Sequence, residues 1–254
     1  MCQEAVFVEI QVHDRLRNQK LMVQVSGSFK GHVTMHGEGE TEGKKRIMFC
    51  SEDESERKEY VRSSASLYAS VIDMLWPKRV RRIILHPSKL SRKQNRNEKL
   101  QVLARSLGEL KDLLPKSTDL CIEPRGGSRQ GRVLRLDLHD LTHFQDSLGT
   151  NRTVGLCIDV AQLFVTHGNH MIGGFLKGIK EIGLSVSELH VSDVFCAGRV
   201  RNKVAMEIGK GQIDWNLIVP DLKATCNDWL IETLGGIPVF RKSKVFLEKT
   251  VNQI

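Results

Sequence analysis

Val154-Gly-Leu-Cys-Ile-Asp159 is a run of mostly apolar residues closed by one acid. The pattern recurs down the chain. Val33-Thr-Met-His36 and Arg82-Ile-Ile-Leu-His86 end in histidine, and Asp119-Leu-Cys-Ile-Glu123 and Asp228-Trp-Leu-Ile-Glu232 end in glutamate. Ser187-Glu-Leu-His190-Val-Ser-Asp193 carries a histidine followed by an acid. His, Asp and Glu are the side chains that hold divalent ions in nitrogen–oxygen sites. Each has a plainer reading when taken singly. A buried histidine is more often a hydrogen-bonded core residue than a ligand, and an acid at a strand end often caps the next helix. Their return at intervals of roughly one βα unit favours a single convergent metal site.

Short apolar runs of this kind fit strands buried on both faces, as in a parallel sheet. Between them lie helical stripes. Residues 61, 65, 68, 71, 72 and 75 mark a helix over Tyr60 to Trp76, stopped by Pro77. Leu100, Leu103, Leu107, Leu110 and Leu114 mark a second over Asn97 to Leu114. Shorter helices are expected over Leu138 to Leu148 and Met171 to Ile182, with a closing helix over Ser243 to Val251. His139 and His143 of the first of these read as surface residues. Leu163 to His170 reads as a loop whose His167 and His170 are within reach of the site but are not counted among its ligands, and the chain after His190 reads as a long loop to Trp215. Alternating strands and helices imply a parallel α/β barrel of the TIM type, in which strand C-termini carry the chemistry. The front is irregular. Strands are expected at residues 5–12 and 21–25, too close together for a parallel crossover. They form a hairpin, or one of them lies outside the barrel.

The chain has 254 residues, the ordinary size of one such barrel, and is read as a single domain over 1–254. It carries a net charge of +8, and the basic residues cluster. Between Lys78 and Arg105 there are ten Lys or Arg and one acid, Glu98. Arg92 and Lys93 fall after His86, Arg125 and Arg129 after Glu123, and Arg199 and Arg201 after His190. In a barrel these loops ring one face. Cations grouped around a metal site repel one another unless a polyanion lies there, which points to a phosphate backbone. No apolar run approaches the roughly 20 residues that span a bilayer, and the first residues lack the pattern of a signal peptide. The six cysteines form no Cys-x-x-Cys pair, so reduced thiols and an intracellular, soluble setting, in cytoplasm or nucleus, are expected.

The strand-end segments resemble the endonuclease IV family, the apurinic/apyrimidinic endonucleases of the xylose-isomerase-like barrel superfamily. Leu85-His-Pro-Ser88, Cys121-Ile-Glu-Pro-Arg-Gly-Gly127, Val154-Gly-Leu-Cys-Ile-Asp159, His190-Val-Ser-Asp193 with Arg199-Val200, and Leu230-Ile-Glu-Thr233 carry the resemblance. It runs from about His32 to Glu232, with a front end shorter than the family's. Ile208-Gly-Lys-Gly-Gln-Ile-Asp214 is similar to a turn shared with sugar isomerases of the superfamily. The resemblance implies a multi-metal centre, usually zinc, with manganese as the alternative ion. It places His36 and His86 on one ion, Asp159, His190 and Glu232 on a second, and Glu123 as the bridging, catalytic carboxylate. The position of His36 rests on order and spacing. The chain departs from the family at its third ion: Gln162 stands where the family has histidine, and Arg199-Val200 leads to Arg201-Asn-Lys-Val-Ala-Met206 with no ligand pair. Two ions are expected rather than three, with Arg201 or Lys203 supplying positive charge in place of the third.

The leading expectation is a metal-dependent DNA-repair phosphodiesterase, a monomer that cleaves double-stranded DNA on the 5′ side of abasic sites. Paired dications activate water and neutralise charge on the phosphorane and the leaving oxygen. Arg92, Lys93, Arg125, Arg129, Arg199 and Arg201 would grip the duplex at a deformable point. Two rival readings use the same residues. One is a sugar or sugar-phosphate isomerase or epimerase with one ion on Glu123, Asp159, His190 and Glu232. The other is a relative that binds DNA without cutting it.

Overall fold

The computed structural model describes residues 7–11, 32–37, 49–75, 80–88, 95–126, 134–149, 154–196 and 203–253. The chain divides into two compact units. One comprises residues 1–123, 130–134 and 142–155, and the other 124–129, 135–141 and 156–254.

In the first unit β1 (Phe7–Gln11), β2 (His32–His36), β3 (Val80–Leu85) and β4 (Asp119–Ile122) pair in sequence order, all parallel. β1 is thus a parallel partner of β2, whereas the expected strand at 21–25 lies outside the described residues. Helices α1 (Glu54–Leu75) and α2 (Arg96–Leu113) accompany these strands. Both follow the expected apolar stripes. Val61, Tyr68, Val71 and Leu75 of α1 are buried, and so are Leu100, Leu103, Leu107 and Leu110 of α2. Asn95 caps α2 by accepting the Asn97 N–H at 3.1 Å.

The two helices are also joined by a buried cation. The Arg57 side chain is fully enclosed and donates to Glu109 of α2 at 2.8 and 3.0 Å, to Glu54 at 2.7 and 2.8 Å, and to Ser106 at 3.0 Å. The Arg57 guanidinium beside it holds the Glu54 carboxyl down, from the ordinary 4.5 to about 2. A carboxyl depressed in the folded state contributes stability above its unfolded value and loses it as pH falls through the folded value. Glu54→Gln is therefore expected to unfold at lower urea concentration than the parent at about pH 6, with the gap closing as pH falls from 4.5 toward about 2. A gap independent of pH would assign the effect to packing instead.

In the second unit β5 (Gly155–Asp159), β6 (Val186–Val191) and β9 (Trp229–Ile231) pair in that order, again parallel. Three expectations are corrected here. Leu163 to His170 is not a loop, because Val160–His167 forms a helix, α4, directly after β5. Asp159 starts it by accepting the Gln162 N–H at 3.0 Å. The stretch after His190 is not simply a loop either: β7 (Asp193–Phe195) and β8 (Lys203–Met206) pair antiparallel. The closing helix, α7, runs over Gly236–Asn252, several residues longer at its start than expected. The helices α5 (Asn169–Glu181) and α6 (Trp215–Thr225) complete the unit and pack on each other. A further helix, α3 (Leu138–Leu148), lies where expected. Among the described residues no helix is long and apolar enough to cross a membrane.

The base of the β7–β8 hairpin is fastened by one acid. Asp193 is fully buried and accepts from the Val194, Gly209 and Ile213 backbone N–H groups at 2.9, 2.9 and 3.2 Å and from Trp215 Nε1 at 3.0 Å. Its role is to hold the turn over 207–215 against β7.

Candidate metal centre

The first unit brings three strand-end residues together. His36 ends β2, His86 follows β3, and Glu123 follows β4, tied to β3 by its N–H donating to Leu85 O at 2.8 Å. Parallel strands in register deliver their C-terminal residues to the same edge. His36 Nε2 lies 3.1 Å and His86 Nε2 2.8 Å from the same atom, Glu123 Oε2. The two imidazoles lie with centroids 4.4 Å apart. His36 and Glu123 are 5% and 1% exposed and so shielded from water, while His86 is partly exposed. Gly37 permits the approach: a Cβ there would collide with Leu85 and with the Tyr68 hydroxyl.

This donor set fits a divalent ion. His36 Nδ1 is 3.2 Å from Gly37 O, an oxygen that can only accept, so Nδ1 carries the proton. A neutral ring then turns a lone pair on Nε2 toward a carboxylate oxygen. Two acceptors at that distance repel unless the ring gains a second proton or the two share a cation. Two imidazoles and one carboxylate suit zinc.

The second unit holds Asp159, His190 and Glu232. Asp159 and His190 are register partners on neighbouring strands. His190 is buried, and its Nδ1 lies 3.4 Å from Glu232 Oε2. Glu232 donates its N–H to Val191 O at 3.0 Å, which anchors it beside β6. Burial alone would depress the His190 pKa, but Cys157 and the Glu188 and Glu232 carboxylates outweigh it and hold the imidazole well above its ordinary value. Asp159 has two roles: Oδ1 caps α4, while Oδ2 lies 4.0 Å from Arg125 Nη1. The cap leaves Oδ2 turned away from the helix, because a carboxylate has two oxygens.

The other histidines singled out in the sequence lie apart from these residues. His167 is a structural residue, with Nε2 2.8 Å from Leu136 O and its ring stacked on Phe175. His139 is a surface residue as expected, 68% exposed. It lies near Asp137 and Asp140, but Arg135 already pairs with both acids. Arg92, Lys93, Arg129, Arg199 and Arg201 lie outside the described residues. One buried acid near His190 was missed by sequence reasoning. Glu188 is fully enclosed, with Oε1 3.3 Å from His190 Nε2. Its spacing of two from His190 on a strand was the available signal.

A family model described as a xylose isomerase-like TIM barrel matches residues 10–234. The chain belongs to the xylose isomerase-like TIM barrel family. Solved structures agree in fold. A D-tagatose 3-epimerase-like protein is 15% identical with a TM-score of 0.74, over 99% of this chain and 91% of that one. The IolI protein, solved with a bound zinc atom, is 15% identical with a TM-score of 0.72, over 98% and 88%. An AP endonuclease, family 2, from Brucella melitensis is 12% identical with a TM-score of 0.69, over 96% and 88%. No curated protein sequence matches. Structures of this fold thus include epimerases as well as an AP endonuclease, so the fold alone does not choose between them.

Proposed function

We propose that the protein is a metal-dependent DNA phosphodiesterase that cuts the backbone on the 5′ side of abasic sites. The observation that carries the reading is the convergence of His36 Nε2 and His86 Nε2 on Glu123 Oε2. A sugar isomerase needs one ion on carboxylates and a single histidine. A separate pair of imidazoles focused on one carboxylate asks for an ion of its own. The Asp159, His190 and Glu232 set would hold another.

Bound dications would supply activation of water and neutralisation of developing phosphate charge. The chain's own groups do the rest. Gly37 O fixes the His36 ring so that Nε2 faces the site. Glu123, shielded from water, keeps its charge focused on the same point. Arg125, partly exposed beside Asp159, offers a planar guanidinium to a phosphate oxygen. Arg92, Lys93, Arg129, Arg199 and Arg201 add sequence-independent attraction for the duplex.

The test is incubation of pure protein with zinc or manganese and a duplex holding one abasic site. A nick leaving a 3′-hydroxyl is expected, together with about two ions per chain by elemental analysis. Protein that binds the metals and leaves the duplex intact would remove the phosphodiesterase reading. The register pairing of Asp159 with His190, with Glu232 against His190, favours one alternative, a one-ion sugar epimerase. About one ion per chain and turnover of a ketose would select it.

A further inference from the structure

Glu188 lies in the middle of β6, fully enclosed, where its register partner is Cys157. An apolar residue would fill such a position without desolvating a charge. A carboxylate buried there is costly unless it holds a polar partner. Its partner is given by strand alternation: Glu188 and His190 are two residues apart and leave the same face of β6. Glu188 Oε1 lies 3.3 Å from His190 Nε2. Across the ring, Nδ1 faces Glu232 Oε2 at 3.4 Å.

The two nitrogens of a neutral imidazole are not equivalent, and the bond made by one decides what the other can do. A carboxylate is acceptor-only and demands N–H on the side it faces. Both ring nitrogens face a carboxylate, so an ion shared with Glu232 would displace the proton on Nδ1 while Glu188 keeps the one on Nε2. Cys157 also hydrogen-bonds to the ring, but a thiol is a weak acceptor beside a carboxylate.

We infer that Glu188 is the positioning residue for His190: it accepts the Nε2 proton, fixes the tautomer, and aims Nδ1 at a cation shared with Glu232. The inference rests on the reading of Asp159, His190 and Glu232 as ion ligands. Such outer partners change metal affinity about 10–100-fold when removed.

The experiment is zinc titration against a chromophoric chelator in the whole protein, repeated in a His86→Ala background so that the second unit's site is read alone. Glu188→Leu is expected to weaken zinc binding about 100-fold, and Glu188→Gln, which keeps a carbonyl acceptor and the side-chain volume, to recover most of the loss. Nitrogen-15 NMR of the zinc-loaded parent protein is expected to show His190 protonated on Nε2. That measurement stands even where the leucine variant does not fold. Zinc affinity unchanged in both variants, or a proton on Nδ1, overturns the inference while leaving the ligand reading intact. A parent protein that binds no zinc overturns both.

Discussion

Glu123→Gln is expected to lower abasic-site nicking about a thousand-fold, while leaving folding stability undiminished. Both His36 Nε2 and His86 Nε2 point at Glu123 Oε2. Glutamine keeps the shape and one carbonyl oxygen but removes the negative charge that would hold dications at that point. A loss of about 4 kcal/mol of transition-state stabilisation corresponds to about three orders of magnitude in rate. Stability should move the other way or stay level, because Glu123 is buried and an enclosed charge is expensive to desolvate. Single-turnover nicking, zinc content and urea midpoints, measured on one preparation, separate these effects. Unimpaired nicking would show that the carboxylate is not part of the chemistry.

The second large effect is structural. Asp193→Ala is expected to destabilise the protein by about 4 kcal/mol, a substantial share of the stability of an ordinary domain. Four donors lose their acceptor at once: the N–H groups of Val194, Gly209 and Ile213 and the indole N–H of Trp215. Hydrogen bonds to a charged acceptor are worth about 1.5–3 kcal/mol each, and buried donors left unsatisfied carry their full desolvation penalty. Asp193→Asn, which keeps one oxygen and presents an N–H to donors, should fall between parent and alanine. The urea midpoint reads the change. A shift below about 1 kcal/mol would mean that the turn over 207–215 rearranges to satisfy its own N–H groups.

Asp193 also shows how one motif can mislead. It stands in the His190-Val-Ser-Asp193 segment that resembles a metal-site signature, yet its oxygens are occupied by backbone and indole donors. Asp159 shows the converse, since its helix-capping role and its place beside His190 are both real. In neither case could residue type decide, because a carboxylate serves as cap, anchor or ligand according to which N–H groups or side chains surround it.

The amino-acid sequence by itself determined the strands, their polar C-terminal residues and the long helices. Apolar runs and stripes such as Leu100, Leu103, Leu107 and Leu110 report burial locally, and burial has the period of the element that produces it. It also implied the barrel family, through short segments at strand ends. Tertiary structure alone decided which of those residues meet. His36 and His86 share Glu123 because β2, β3 and β4 are adjacent and parallel in a particular register. Glu188 meets His190 because strand alternation sends both side chains to one face of β6, a spacing of two that the sequence already carried. Helix α4 and the β7–β8 hairpin were invisible for a related reason. Each is short, and each is held by a carboxylate cap or by cross-chain pairing, so no repeating pattern accumulates along the chain to announce it.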